Sequence, residues 1–374
     1  MPRPTSPESA ARDDRRALFR IVDEAFEDAA ALAGGAIDER FRIGGELVHV
    51  RFAGDGLLRG LTRALAHLRT QSTEPAALTL HVWDSYSTGR PLPLLATSLL
   101  RLLRITWLED RGFRGEILGY SDQTFRAALE GHDTDMFSLL DLEQGRGVLW
   151  TPDCRLLPWY ESGAPLRTLL SWWFESQGRH LVHGGAVGLE RGGVLLAGRA
   201  GAGKSTAALA CLGSELRYAG DDYSLVQVAA GLEPRLSSLY NTAKVKSGDD
   251  FVRFPWMRAG AATAQAEGAA DRKPMLFLHE HQPEALIDGF PLKAIVLPRF
   301  IPGLAEPTVV PVEPSSAFKA LAESTIPQRT GSGSAALHGL SLLTRQVPAF
   351  LLGTTPALDR IAPVLSGLLR QRLA

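Results

Sequence analysis

The stretch that says most about this chain is residues 193–212, which read GVLLAGRAGAGKSTAALACL. Within it, residues 198–205 fit the pattern G-x-x-x-x-G-K-[ST] without a mismatch. An apolar run, residues 193–197, leads into the pattern, and an alanine- and leucine-rich run, residues 206–212, follows it. A strand, a glycine-rich loop and a helix in that order are the structural context that the pattern requires. The stretch therefore predicts a phosphate-binding loop in an α/β domain.

The residue types in this loop fit the chemistry of a bound triphosphate. Glycines let the backbone curl so that N–H groups point at phosphate oxygens, and the following helix adds its positive N-terminal end. The Lys204 ammonium is expected to reach the β- and γ-phosphates, which makes it a candidate catalytic residue, and the Ser205 hydroxyl is expected to bind Mg²⁺. ATP and Mg²⁺ are the predicted cofactors. The predicted nucleotide-binding residues are Gly198, Arg199, Ala200, Gly201, Ala202, Gly203, Lys204, Ser205 and Thr206.

An acidic pair and a histidine lie at set distances from the loop. Asp222 follows Lys204 by 18 residues, directly after Asp221, and His183 precedes Lys204 by 21 residues. The pair comes before the apolar run 223–228, whereas the Walker-B aspartate of an ordinary P-loop ATPase ends a strand. Two adjacent carboxylates near Mg²⁺ can divide metal binding and orientation of an acceptor hydroxyl between them. Taken alone, the pair would also fit a helix-to-strand turn, and the histidine a packed strand residue.

These three elements together resemble the HPr kinase/phosphorylase family, whose P-loop domain is related to phosphoenolpyruvate carboxykinase. The resemblance covers roughly residues 180–228, with H-G before the strand, G-x-x-G-x-G-K-S in the loop and [AG]-D-D after the helix. It implies a catalytic α/β P-loop kinase domain in which Asp222 is the general base for an acceptor serine hydroxyl, with His183 beside it. It also implies that Asp221 joins Ser205 in binding Mg²⁺.

Outside this ATP-handling core the sequence departs from the family. The E-I-R-G-x-G signature and the arginine of the P-V-x-P-G-R-N loop are absent, and the corresponding positions read SSLYNTAK (237–244) and VPVEPSS (310–316). The segments S-L-Y-x-x-A-K (238–244) and A-x-S-T (322–325) are instead similar to those of divergent HPr-kinase-like proteins, including serine kinases of lasso-peptide precursors. Lys244, which ends the first segment, is interpreted either as a contact to phosphate or acceptor or as a solvated surface lysine.

Charge and cysteine content exclude several classes of protein. The chain has 374 residues with 40 Lys+Arg against 41 Asp+Glu, and its net charge is −1, which argues against a basic nucleic-acid-binding protein. Two cysteines without a CxxC pair argue against a disulfide scaffold or a thiolate zinc site and favour the cytoplasm. No apolar run is long enough to span a membrane. Residues 1–16 are polar, unlike a signal peptide, and are predicted to form a disordered tail.

The pattern along the chain indicates two domains. Residues 17–160 carry helical and hairpin patterns without a recognisable motif, which predicts a smaller α+β domain with acceptor recognition as its candidate role. Residues 161–374 alternate short apolar strands with helices, as α/β domains do. The boundary is expected where prolines and a glycine cluster, within residues 155–165. Two local expectations are a single strand over residues 182–189 and a mobile loop over residues 258–274.

Taken together, these features favour an ATP-dependent kinase that acts on a hydroxyl, with a serine of a peptide or protein as the acceptor. Two alternatives stay open: a kinase of a small-molecule hydroxyl, and a regulatory protein that binds ATP without catalysis. Asp222 favours a kinase over a regulatory ATP-binding protein, because a kinase needs a carboxylate that orients its acceptor. No nucleic acid or membrane partner is expected, and a homo-oligomer is implied only by the family resemblance.

Overall fold

The computed structural model describes residues 7–93, 115–117, 121–130, 135–244, 253–254, 275–331 and 333–373. These residues form two large β-sheets, one in the first 160 residues, here called the N-terminal half, and one in the rest, the C-terminal half. Helices pack on the sheets, since both kinds of element have an apolar face to bury. The loop predicted over residues 258–274 lies outside the described residues.

The N-terminal half contributes, in chain order, α1 (Pro7–Leu32), β1 (Ala36–Ile43), β2 (Glu46–Ala53), α2 (Leu58–Thr62), a 3-10 helix (Arg63–Leu68), β3 (Leu78–Asp84), α3 (Ser85–Thr88), β4 (Phe125–Glu130), β5 (Met136–Asp141), β6 (Arg146–Thr151) and a 3-10 helix (Cys154–Leu156). Its six strands lie in the order β1-β2-β3-β6-β5-β4, with parallel and antiparallel pairs. Helix α1 packs on one face of this sheet around Phe26 and Trp83.

Helix α1 begins earlier than the sequence pattern indicates. A helix is predicted from residue 17, after a disordered tail over residues 1–16, but the structure has the helix from Pro7. Proline is tolerated in a first helical turn, because the N–H group that it lacks would have no helical partner there. The tail prediction is therefore wrong for residues 7–16, while residues 1–6 lie outside the described residues.

The C-terminal half contributes α4 (Trp159–Gly163), α5 (Arg167–Glu175), β7 (Arg179–Val182), β8 (Gly185–Leu189), β9 (Gly192–Leu196), α6 (Lys204–Leu209), β10 (Arg217–Gly220), β11 (Ser224–Gln227), β12 (Arg235–Ser237), β13 (Thr242–Lys244), β14 (Met275–Phe277), α7 (Leu278–His281), β15 (Gly289–Phe300), β16 (Thr308–Val312), α8 (Pro314–Thr325), α9 (Ser334–Gln346), β17 (Ala349–Thr354) and α10 (Ile361–Leu373), with 3-10 helices at Pro283–Ala285, Ile326–Gln328 and Leu358–Arg360. Its nine-stranded sheet has the order β10-β8-β9-β15-β12-β11-β7, while β17 pairs with β15 and β16. Strands β13 and β14 form a separate pair.

Strand β9 lies inside the larger sheet and leads directly into the glycine-rich loop. Successive side chains of a strand point to opposite faces, so β9 contributes to two cores. Val194 and Leu196 pack with α6 and α10 on one face, and Leu195 packs with α8 and α9 on the other. The strand that carries the loop is thus buried on both faces, as its unbroken apolar sequence requires.

The single strand predicted over residues 182–189 is wrong, because the structure interrupts it at His183 and Gly184. Strand β7 ends at Val182 and strand β8 begins at Gly185. The chain changes partners at this point: β7 pairs with β11, whereas β8 pairs with β9 and β10. The interruption leaves His183 between two strands rather than within the hydrogen-bonded part of one.

The two halves of the chain share a buried apolar core. One cluster combines Val50 and Leu80 of the N-terminal sheet with Trp172 of α5 and with Tyr240 and Phe277 of the C-terminal half. Removal of this apolar surface from water favours packing of the halves against each other. Within the described residues, none of the helices has both the length and the apolar character needed to cross a bilayer.

Candidate active site

The glycine-rich loop joins β9 to α6, in the strand–loop–helix order that the sequence predicts. Gly201 and Gly203 have φ values of 82° and 96°, a backbone conformation that residues with a Cβ reach only with strain. Lys204 begins α6 and is only 7% exposed. Its Nζ donates a hydrogen bond to the carbonyl oxygen of Gly198 at 2.7 Å. The loop therefore curls around a buried positive charge.

The other predicted nucleotide-binding residues are exposed or partly buried, except Gly198, which is buried. Ser205 and Thr206 lie in the first turn of α6 and are partly buried. Three exposed residues form the outer side of the loop: Arg199, Ala200 and Gly201. Apart from the arginine side chain, they present backbone and one methyl group to solvent. A ligand that approaches from solvent would meet this backbone directly.

Asp221, which follows β10, is a buried carboxylate without a hydrogen-bond partner. The residue is 3% exposed, and neither carboxylate oxygen has a partner among the described residues. Burial raises the pKa of Asp221 to about 6, and the charge of Asp222 adds to the rise, while the nearby Ser205 hydroxyl and Lys244 ammonium oppose it. An unpaired buried carboxylate costs free energy when it is ionised, and a bound cation would remove that cost.

Asp222 has the opposite environment, although it is the next residue. Its Oδ1 lies 3.2 Å from Nε2 of His183, and its Oδ2 accepts a hydrogen bond from Nζ of Lys244. Burial alone would raise the pKa of Asp222, but the hydrogen bond from His183 and the charge of Lys244 outweigh it and hold the pKa well below the usual range. Asp222 is therefore ionised at neutral pH, whereas its neighbour is close to its titration range.

The ring of His183 is fixed by two acceptors. Its Nδ1 lies 3.1 Å from the carbonyl oxygen of Ser324, and its Nε2 faces the Asp222 carboxylate. Both ring nitrogens therefore face oxygen atoms, a carbonyl oxygen on one side and a carboxylate oxygen on the other, and these contacts set the orientation of the ring. The main chain of His183 is held as well, because its N–H donates to Oγ1 of Thr325 at 3.1 Å.

Four residues around Asp222 have contacts that the sequence alone did not decide, and for Lys244 two interpretations were left open. Lys244 is ion-paired with Asp222, so the surface-lysine interpretation does not apply to it. Ser324 and Thr325, in the A-x-S-T segment, hold His183. Trp159 lies with its ring 5.6 Å from the Lys244 ammonium. The two short segments were recognisable in the sequence, but the contacts they make depend on the fold, and Trp159 gave no signal at all.

The residues present fit a magnesium ion bound together with nucleotide phosphates. Asp221 and Ser205 offer oxygen atoms, the ligands that Mg²⁺ prefers, and the Ser205 hydroxyl is close enough to Asp221 to lower its pKa. Among the described residues no group of three or more His, Cys, Asp or Glu side chains could hold a metal ion by itself. This suits Mg²⁺, which is usually bound by one or two protein ligands plus phosphates and water.

Comparisons with known proteins place few constraints on this site. No protein-family model matches the chain, and no curated protein matches it. Among solved structures the chain is similar to the HPr(Ser) kinase/phosphatase from Coxiella burnetii, at 11% sequence identity and a TM-score of 0.29. The match covers 51% of this chain and 97% of that chain. At this level of similarity the function has to be derived from the site itself.

Proposed function

We propose that this protein is a kinase that transfers the γ-phosphoryl group of ATP, in the presence of Mg²⁺, to a serine hydroxyl of a peptide or protein. The observation that carries the proposal is the contrast between two adjacent carboxylates. Asp221 is buried without a partner near Ser205, whereas Asp222 is kept anionic by His183 and Lys244. The first is suited to a metal ion and the second to an acceptor hydroxyl.

Asp222 is assigned the orientation of the acceptor. A carboxylate with so low a pKa removes protons poorly at the start of a reaction, but a loose phosphoryl-transfer transition state demands little early proton removal. The carboxylate therefore accepts a hydrogen bond from the hydroxyl, aims its oxygen at the phosphorus and takes the proton late. His183 keeps the carboxylate in place, because Ser324 fixes the other side of its ring.

Two lysines provide positive charge for the transferred group. Lys204 lies inside the glycine-rich loop, where the phosphates would bind, and Lys244 lies beside Asp222, where the acceptor would bind. Fixed positive charge on both sides of a transferred phosphoryl group stabilises the transition state more than the ground state. Mg²⁺, when bound by Asp221 and Ser205, would add further neutralisation of phosphate charge.

The nucleotide site is tested by Lys204→Ala. Loss of this ammonium removes the cation inside the loop, so ATP with Mg²⁺ should no longer raise the melting temperature of the protein. The matched control is Asp359→Asn, which removes an exposed charge far along the chain in a surface ion pair. A Lys204→Ala protein that is stabilised by ATP as much as the parent would contradict the assignment.

The transfer step is tested by Asp222→Asn with γ-labelled ATP. This variant should still bind ATP and should lose transfer by a factor of about 10²–10⁴, the usual contribution of a positioned acid–base group. The acceptor is sought among peptides encoded by neighbouring genes and in a pool of small-molecule alcohols. Label in a small molecule alone would favour the small-molecule kinase. Binding of ATP without label in either pool, for parent and variant alike, would favour a regulatory protein.

A further inference from the structure

Residues 238–244, SLYNTAK, link the N-terminal half to the candidate active site, and we call this segment the strap. It starts where β12 ends and finishes with β13, the short strand Thr242–Lys244. The first part of the strap lies against the 3-10 helix Arg63–Leu68, and its last residue is paired with Asp222. One short segment thus touches both an N-terminal element and the proposed acceptor-orienting carboxylate.

Asn241, in the middle of the strap, makes the main contact to the N-terminal half. Its side chain is fully buried, and its Nδ2 lies 2.9 Å from each of the carbonyl oxygens of Arg63 and Ala64. Its backbone N–H donates to the carbonyl oxygen of Ala64 at 2.9 Å, and its own carbonyl accepts from the N–H of Leu278, also at 2.9 Å. The carbonyl groups of the first two residues of the 3-10 helix thereby accept hydrogen bonds from an asparagine of the other half.

The residues on either side of Asn241 are held by the segment before α5. The Tyr240 hydroxyl donates to the carbonyl oxygen of Pro165 at 2.8 Å, and the Thr242 hydroxyl donates to that of Gly163 at 2.9 Å. Both donors are buried, so each lost bond would leave a carbonyl group without its partner. The strap is therefore fixed along its length and cannot slide as a free loop would.

Lys244 follows Asn241 by three residues of extended chain. A strand advances by about 3.3 Å per residue and bends little over so short a distance, so a shift at Asn241 is transmitted to the lysine. The hydrogen bond between the ammonium and Asp222 requires placement within a few tenths of an ångström. The position of the lysine on Asp222 thus depends on the anchor at Asn241.

We propose that Asn241 is a positioning residue that places Lys244 on Asp222, so that the N-terminal half fixes the geometry of the active site through the strap. The catalytic consequence rests on the proposed kinase function, but the placement of the lysine does not. The two can therefore be tested separately.

The placement is tested by the reactivity of lysine amines in the whole protein. Asn241→Leu keeps the size of the side chain and removes its hydrogen bonds. Acylation by a limiting amount of an amine-reactive ester, read by mass spectrometry, should be about tenfold faster at Lys244 in this variant, because a released ammonium is more exposed. Lys293 is the internal control, since it is ion-paired with Glu233 and its side chain is 23% exposed, against 22% for Lys244.

Two further variants keep the test decisive. Thr344→Val removes a buried hydroxyl-to-carbonyl hydrogen bond in α9 and should leave the reactivity of Lys244 unchanged, which separates release of the strap from general loss of stability. If Asn241→Leu does not fold, Thr242→Val removes a single bond of the strap and should raise the reactivity of Lys244 about threefold. Unchanged reactivity of Lys244 relative to Lys293 in a folded strap variant would overturn the proposal.

The catalytic arm uses the acceptor labelled by the parent enzyme. Asn241→Leu should lower kcat and leave the KM for ATP unchanged, and the double variant with Lys244→Gln should be no slower than Lys244→Gln alone. If the losses in kcat of the two single variants add up in the double variant, Asn241 does not act through Lys244, and the proposal is overturned. Full activity of Lys244→Gln would instead contradict the role of this lysine in the proposed function, while the amine reactivities would still decide the placement.

Discussion

An ionised Asp221 is costly to the fold because it is buried and both of its oxygens lack a partner. Asp222 has a hydrogen bond from His183 and an ion pair with Lys244, so its ionisation does not destabilise the fold in the same way. Adjacent groups with opposite pKa shifts are typical of sites that divide two chemical tasks. These two environments fit the roles proposed above, that of a metal ligand for Asp221 and that of a hydroxyl-orienting group for Asp222.

The cost at Asp221 predicts an effect of Asp221→Asn on stability. The folded-state pKa of about 6 lies above the ordinary value of 3.8 for an aspartate, so the folded state binds more protons between these values and loses stability as pH rises through them. At neutral pH the variant should therefore gain about 1–3 kcal/mol in the free energy of unfolding without nucleotide, and gain little near pH 4. Urea denaturation at the two pH values measures this. A loss of stability at neutral pH would show that the carboxylate has a partner.

The same variant should lose the extra stabilisation that Mg²⁺ gives in the presence of ATP. The amide has no charge to offer the ion, although its size and shape are kept. The comparison of melting temperatures with ATP alone and with ATP plus Mg²⁺ isolates this contribution, and Asp359→Asn serves again as the control of equal charge change.

The residues of the site differ in how far a sequence can predict them. Asp222 and His183 stood out because they lie at fixed distances from the glycine-rich loop, and the structure brings their side chains together at 3.2 Å. The contact between His183 and Ser324 joins residues 141 positions apart, which no local pattern encodes. Lys244 could be seen in a short segment, but its pairing with Asp222 depends on the strap. Sequence distance from the glycine-rich loop was enough to identify Asp222 and His183, whereas the contacts of Ser324 and Lys244 depend on how the chain packs.

At the scale of elements, the placement of the loop depends on how closely β9 packs. A Cβ added at Gly193 would lie 2.4 Å from the ring of Phe290, and one added at Gly188 on the neighbouring strand would lie 2.8 Å from it. The Phe290 ring thus packs directly against the backbone of these two glycines. The hairpin β5–β6 was predictable from its pattern of apolar runs and glycines, and β9 from the apolar run before the glycine-rich loop, whereas this contact between glycines and an aromatic ring far away in sequence was not.

The tight contact predicts that Gly193→Ala is destabilising. The ring of Phe290 is fully buried and cannot move away, so the free energy of unfolding should fall by about 2–3 kcal/mol. The matched control is Gly367→Ala in α10, where an added Cβ meets nothing within 4 Å and alanine should stabilise the helix by about 0.5–1 kcal/mol. Urea denaturation measures both. Equal effects of the two substitutions would show that Phe290 can yield.

At the scale of the whole molecule, the two halves are joined by a buried polar contact as well as by their shared core. His67 lies with Nε2 2.7 Å from Oγ of Ser238 and with Nδ1 3.3 Å from Nδ2 of Asn241. A neutral ring fits this position, since it can accept at one nitrogen and donate at the other, and burial lowers the pKa of His67. No sequence motif marks this residue, since its partners lie more than 170 positions away and belong to the other half.

This arrangement predicts that acid weakens the contact between the halves. Burial lowers the pKa of His67 from the ordinary histidine value of 6.5 to about 3, and the charge of His279 makes a smaller contribution. Between these values the unfolded chain binds the proton and the folded protein does not, so stability is lost as pH falls below 6.5. At about pH 5 the loss from this one group should be about 2 kcal/mol. The variant His67→Gln cannot take up this proton, so its free energy of unfolding should depend less on pH, by that amount. The control is His281→Gln at an exposed position, which should leave the pH dependence as it is in the parent. Denaturation curves at pH values on both sides of this range measure the difference, and an identical pH dependence of the parent and His67→Gln proteins would mean that acid does not act on the contact between the halves.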